Sequence, residues 1–343
     1  MPKYFRQVLG FAFALSLSTA ATAGAQQEQA DLLLNAQPPQ DASAEQLEQF
    51  DTAVLVTLVD QVVSQVQPAP PLTVPVEWLA EDFLRAGESL TYMPFALSID
   101  QAALGADDMA IYIRAVDKNA PPTPEGEVPT YAWDSIRYPQ LTADTLMRTM
   151  TLPPGEYDVF VAVKRRSLDV ESAVSPPFGL LRRDLTVVDF DAGPVTTGSV
   201  IRFSNFEQLA GPPTDEQVDA NPYIFGTNAF ERQWSTEYSQ AGEIGFLFWV
   251  YGADTDRAGK PDVNVEFMFE RVTAAGTEEF VRMEPVEFTP DNIPDGFPVG
   301  DGLFVANGAP LQTFEPGEYR LEITVTDRAA DETAVQTVDF TVQ

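Results

Sequence analysis

Apolar and polar residues alternate along two stretches that open with the same four residues, Pro-Gly-Glu-Tyr, at positions 154 and 316. Tyr157, Val159, Val161 and Val163 share one face of the first stretch, and Tyr319, Leu321, Ile323 and Val325 share one face of the second. A period of two predicts a strand with one face in a core, and Pro-Gly supplies the turn ahead of it. The opposite face of the second copy is Arg320, Glu322 and Thr324, which belongs in water. The first copy carries Phe160 and Ala162 there, so partial cover is expected. A Tyr that opens a late strand just after a turn takes the place of a tyrosine corner in a Greek-key sandwich. Closing strands are expected at Leu185 to Phe190 and Thr337 to Val342.

Other segments extend the pattern. Leu90 to Ile99 and Met109 to Val116 read as strands of a first unit, with Asp117 to Gln140 as a Pro-rich loop. Ser199 to Phe206, Ile244 to Tyr251, Val263 to Arg271 and Glu278 to Glu284 read as strands of a second. Gly211 to Tyr238 is expected to be irregular, and Asp291 to Gly302 a loop. The same unit used twice predicts an all-β chain of two tandem Ig-like β-sandwiches, at about 72–190 and 198–343, whose cores unfold independently.

Ahead of them, Ser43-Ala44-Glu45-Gln46 has the form of a capping box. Leu47, Phe50, Val54, Leu58, Val62 and Val66 follow at spacings of three and four, which predicts a short helix over about 43–66. The β-branched run from Val54 to Val59 leaves a buried strand as the alternative. Gln67-Pro68-Ala69-Pro70-Pro71 reads as a stiff linker, and residues 26–42 as a polar leader.

Composition narrows the class. Lys3 and Arg6, an apolar run from Val8 to Leu17 and the small residues Ala21 to Ala25 form the three regions of a signal peptide over 1–25, so an exported protein is expected. No later stretch approaches the roughly 18 apolar residues of a membrane span. The formal charge is −32. Such a field opposes nucleic acid and anionic membranes and suits a cationic partner. With no cysteine and no histidine, neither a Ser-His-Asp or Cys-His system nor a zinc site with imidazole or thiolate ligands can be assembled.

Val76-Glu77-Trp78, Thr91-Tyr92-Met93-Pro94-Phe95, Ile111-Tyr112-Ile113-Arg114, Asn221-Pro222-Tyr223-Ile224-Phe225-Gly226, Gly259-Lys260-Pro261-Asp262-Val263 and Pro316-Gly317-Glu318-Tyr319 together resemble the C-terminal region of exported bacterial proteins, many of which carry a von Willebrand factor A-related domain ahead of it. The resemblance covers about 72–343. It implies two β-sandwich modules outside the cytoplasm and brings no catalytic residues. The short N-terminal part has no room for a von Willebrand domain and lacks an Asp-x-Ser-x-Ser segment.

Three constellations are candidates for function. Aromatic residues concentrate in the two irregular segments: Tyr131, Trp133 and Tyr138 in one, and Tyr223, Phe225, Trp234 and Tyr238, with Phe230, in the other. Rings on loops stack on sugars or anchor a protein partner; the alternative is that they pin the loop to its own sandwich. Lys164, Arg165 and Arg166 leave one strand, and Arg182 and Arg183 enter the next. They form a basic patch that would dock an acidic partner or a second copy, unless it only balances local acids. Asp254, Asp256 and Asp262 begin a calcium-like loop, but Ala258 replaces an oxygen ligand and Val265 stands at the twelfth position, so a polar turn is favoured. The reading is a non-catalytic exported binding or assembly module with no cofactor, whose partner is a protein or a second copy. The alternative is a carbohydrate-binding module, or a glycosidase working with carboxylates alone, that engages a glycan through the ring-rich loops.

Overall fold

The protein is described from a computed structural model, covering residues 32–34, 36, 42–63, 72–121, 130–141, 144–167, 177–191 and 193–343. The signal segment, most of the leader and the linker expected at 67–71 lie outside the described residues.

The first sandwich holds β1 (Val76–Glu81), β2 (Leu84–Arg85), β3 (Thr91–Ile99), β4 (Met109–Asp117), β5 (Trp133–Arg137), β6 (Thr145–Leu152), β7 (Gly155–Arg165) and β8 (Phe178–Val187). The second holds β9 (Thr196–Thr197), β10 (Ile201–Gln208), β11 (Ile224–Phe225), β12 (Asn228–Arg232), β13 (Glu237–Tyr238), β14 (Glu243–Tyr251), β15 (Val263–Thr273), β16 (Gly276–Arg282), β17 (Val286–Phe288), β18 (Leu303–Pro310), β19 (Gly317–Asp327) and β20 (Glu332–Val342). Helix α1 (Ala44–Val63) precedes both; short helices α2 (Gln101–Leu104) and α3 (Asp215–Ala220) lie within them.

One plan is used twice. In the first sandwich β1 and β2 pair with β3, β3 with β6, and the facing sheet runs β5-β4-β7-β8. In the second, β9 and β10 pair with β14, β14 with β18, and the facing sheet carries β16-β15-β19-β20. The register repeats as well. Tyr157 stands between Asp117 and Leu185, and Tyr319 between Arg271 and Phe340. Each tyrosine hydroxyl donates to a carbonyl four residues back, Tyr157 to Pro153 at 2.8 Å and Tyr319 to Glu315 at 2.9 Å. Alternation then fills each core: Met93, Phe95, Ile111, Val159 and Val161 in one, Phe246, Phe248, Phe267, Leu321 and Ile323 in the other.

Two expectations change. Residues 117–140 are not loop throughout, because Trp133–Arg137 forms β5 at the edge of the sheet against β4. Residues 211–238 hold α3, β11, β12 and β13; these pieces are too short to show a period.

The apolar outer face of β4 and β7 is covered by α1. Val54, Leu55, Leu58 and Val59 pack on Ala110, Tyr112, Phe160, Ala162 and Phe178, and Leu34 joins them. The reciprocal bonds of Ser43 and Gln46 close the helix start, Gln46 N to Ser43 Oγ and Ser43 N to Gln46 Oε1. The matching face of the second sandwich, with Glu266, Glu322 and Thr324 in place of Tyr112, Phe160 and Ala162, carries no such helix among the described residues.

Candidate binding surface at the sandwich junction

The first strand of each sandwich is broken in two, and the breaks meet. Residues 82–83 separate β1 from β2, residues 198–200 separate β9 from β10, and between them Phe83 N donates to Ser199 Oγ at 2.8 Å and Ser199 N to Phe83 O at 2.9 Å. Gly198 suits the close approach there, because a Cβ would stand 3.1 Å from both the Leu84 side chain and the Phe83 carbonyl oxygen and would crowd them.

The break turns Asp82 into the second sandwich. Its carboxylate accepts from Tyr223 Oη at 2.8 Å, Arg232 Nε at 2.9 Å and Arg232 Nη2 at 3.2 Å, and all three side chains are almost sealed from water. The remaining guanidinium donor, Nη1, reaches the carbonyls of Arg202 and Gln233. Asn221 holds the loop in position: its Oδ1 accepts from Tyr223 N and its Nδ2 donates to Phe230 O. Burial pushes the Tyr223 phenol far above its ordinary value, with the Asp82 charge adding to the effect, so the group stays a donor. Around this centre pack Leu84, Ile201, Phe230 and Leu247, with Tyr92, Met147, Phe203, Phe225, Trp234 and Trp249 half-buried beside them. Tyr92 Oη donates to Pro222 O at 2.9 Å. On the other flank Arg85 pairs with Asp191 at 2.6 Å and donates to the Gly300 carbonyl, while its backbone N–H donates to Tyr251 Oη at 3.2 Å.

The candidate rings divide among three places. Tyr223, Phe225 and Trp234 come together at the junction. Tyr223 is fully buried and offers no face to a ligand, which corrects its reading as a stacking ring. Tyr238 belongs to the second core, edge-on to Phe340 at 5.8 Å, and is corrected likewise. Tyr131 lies under the Arg114 guanidinium at 3.8 Å, Tyr138 donates to the Glu48 carbonyl of α1, and Trp133 packs against the first core. Along the junction the rings lean on one another from Phe304 through Trp249, Phe225 and Phe230 to Phe206, at centroid separations of 4.9, 4.7, 6.2 and 5.9 Å. They are tilted by 30° to 72° and so do not form a flat platform. The two ends stay open, Phe206 at 58% and Phe304 at 39% exposure.

The five cations are not one patch. Arg182 and Arg183 sit opposite Phe160 and Val159 in mid-strand, well along β7 from Lys164. Four of them have their own carboxylate: Lys164 with Asp51, Arg166 with Glu48, Arg182 with Asp158 and Arg183 with Glu81. Arg165, at the end of β7, is half-buried. A docking surface made of all five is therefore corrected, because a cation already neutralised in place adds little field. In the acidic loop, Asp256 accepts from the backbone N–H of Ala258 and Lys260, and Asp262 pairs with Arg328 at 3.2 Å. Asp254 is held through its own N–H by Asp327. This is the polar turn, and among the described residues no three His, Cys, Asp or Glu side chains group as a metal site.

Sequence reasoning missed Asp82, Arg232, Asp51, Asp60 and Arg114. Two of them left a trace: Arg114 interrupts the apolar run of β4, and Asp51 falls four residues after Leu47 on the inward face of α1. Asp60 bonds Arg114 Nη1 at 2.5 Å.

No family model matches the chain, and no curated protein does. Among solved structures, the soluble domain of PmoD from Methylocystis sp. ATCC 49242 (Rockwell) is 16% identical with a TM-score of 0.19, over 32% of this chain and 78% of that one. The native conformation of the E. coli alpha-2-macroglobulin is 8% identical with a TM-score of 0.22, and the match spans 77% of this chain but only 14% of the macroglobulin. Likenesses this distant carry no argument about function.

Proposed function

We propose that the chain is a non-catalytic exported module that binds a protein partner and holds it in fixed geometry. The observation that carries this reading is the junction. A buried Asp82–Tyr223–Arg232 centre ties the two sandwiches together, and the ring row beside it, carried by one sheet of the second sandwich, ends in exposed Phe206 and Phe304. The charged side chains buried among the described residues hold structural elements to one another: Asp51 with Lys164, Arg114 with the exposed carboxylate of Asp60, and Asp327 with the amides of residues 254 and 329. Export rests on the signal-like N-terminus. No helix among the described residues is long and apolar enough to cross a membrane.

The occupant proposed for the rim is a protein segment with an apolar face and cationic flanks. Glu207 and Glu231 are exposed on the opposite face of the β10–β12 ribbon from Phe206, and the chain carries a net charge of −32, so the surroundings of the rim are acidic. The tilted rings favour such a partner over a sugar, which stacks on a ring face. Immobilised wild-type protein and a Phe206→Ser/Phe304→Ser variant of equal melting temperature should be compared on envelope extract. The reading expects a basic protein that is retained by wild type, released as salt rises and lost by the variant. Equal retention by both, or saturable binding on a glycan array, would contradict it.

A further inference from the structure

Among the described residues Lys164 is the fully buried amine, and its neighbours make up more than a salt bridge. The side chain is 0% exposed and that of its partner Asp51, on α1, is 1% exposed. The Lys164 Nζ donates to both Asp51 Oδ1 and Ser167 Oγ, the latter at 2.9 Å. Ser167 Oγ in turn donates to Asp51 Oδ1, and Ser167 N donates to Asp51 Oδ2 at 3.1 Å. The Phe50 ring lies 5.9 Å from the amine, with the apolar seam of α1 and β7 beside it.

We propose that Lys164 and Asp51 condense to an amide, a covalent clamp that fastens α1 to β7. Four features of the pocket support the step. Sealing an ammonium and a carboxylate from water is costly, and an amide would remove both charges. Burial lowers the basicity of Lys164 against the opposing pull of Asp51. The Ser167 hydroxyl touches both the nitrogen and Oδ1, which is where a proton must be carried. Finally, the Ser167 N–H points at Oδ2, the oxygen that takes up charge when the carbon becomes tetrahedral.

The steps balance. A proton passes from the ammonium through Ser167 Oγ to Oδ1, leaving an amine and a carboxylic acid. The amine lone pair attacks Cγ, forming the C–N bond, and the carbonyl π pair moves to Oδ2 under the Ser167 N–H. A second proton travels from nitrogen through Ser167 Oγ to Oδ1. The C–Oδ1 bond breaks, its electron pair leaves with water, and the carbonyl reforms at Oδ2. No oxidant, reductant or co-reactant is needed. The buried carboxylate and ammonium become one neutral group, in a chain with no cysteine to form a staple.

The test is the mass of the full-length wild-type protein, kept folded overnight at neutral pH and then denatured in acid. The expected result is a mass short by one water, with a branched proteolytic peptide that joins Asp51 to Lys164 and resists cleavage after Lys164. Lys164→Arg should restore the full sequence mass, and Ser167→Ala should slow the loss of water several-fold without abolishing it. A wild-type protein of full mass, with separate peptides containing Asp51 and Lys164, would overturn the proposal whatever the variants do.

Discussion

Asp82 in the first sandwich and Arg232 in the second form a two-point ion pair at 2.9 and 3.2 Å, closed from solvent at the place where the two broken strands touch. Asp82→Ala would leave a guanidinium buried without its counter-charge and a tyrosine hydroxyl without its acceptor. Removing one partner of such a pair costs about 3–5 kcal/mol. The loss should be read by urea unfolding, with Arg232→Ala giving a similar loss and the double variant costing much less than the sum.

Alkaline pH acts on the same junction through its tyrosines. Burial pushes the Tyr251 phenol up to about 12 and raises Tyr92 and Tyr223 further, as it does Tyr112 away from the junction under α1. In the unfolded chain a tyrosine releases its proton near pH 10. The folded form therefore holds these protons longer, so their contribution is complete below pH 10 and is lost as pH rises toward the folded values. Urea midpoints should fall steeply from about pH 10 to about pH 12, and Tyr251→Phe should make that fall shallower. Unchanged midpoints across this range would contradict the burial of these phenols.

The paired tyrosine corners allow an internal comparison. Tyr157 and Tyr319 make the same contact to a carbonyl four residues back, at 2.8 and 2.9 Å. Tyr157→Phe and Tyr319→Phe should therefore each cost about 0.5–1.5 kcal/mol, the value of one hydrogen bond. A neutral result at either position would place its hydroxyl in water.

These corners were legible in the sequence because one face of each strand lies in a core and the alternation records it. Phe160 and Ala162 likewise announced that something covers the first sandwich, and the capping box of Ser43 located the helix that does so. The junction was not legible. Asp82 and Arg232 lie far apart in the chain, and no local period records a pairing made by tertiary contact. Trp133–Arg137 escaped as a strand because its burial does not alternate cleanly at the sheet edge. The ring-rich segment at 211–238 was visible as a concentration of aromatic residues, but where those rings pack depends on the other sandwich.

Calcium gives a separate check on the acidic turn. Asp256 caps backbone amides and Asp262 is paired with Arg328. Millimolar calcium should leave the melting temperature within about one degree of its value in chelator, because only an ion that binds the folded state selectively raises it. A rise of several degrees would mean that these carboxylates leave their present partners for the metal.

The central claim is that the junction makes two sandwiches into one cooperative body, where the repeat alone suggested two independent ones. Scanning calorimetry of the wild type, Tyr157→Ala and Tyr319→Ala tests it most directly. Each substitution removes a packed ring and should cost about 3–5 kcal/mol. Coupling through the Asp82 centre predicts a single transition in the wild type, which either substitution lowers as a whole. Two wild-type transitions, with Tyr157→Ala moving one and Tyr319→Ala moving only the other, would contradict it.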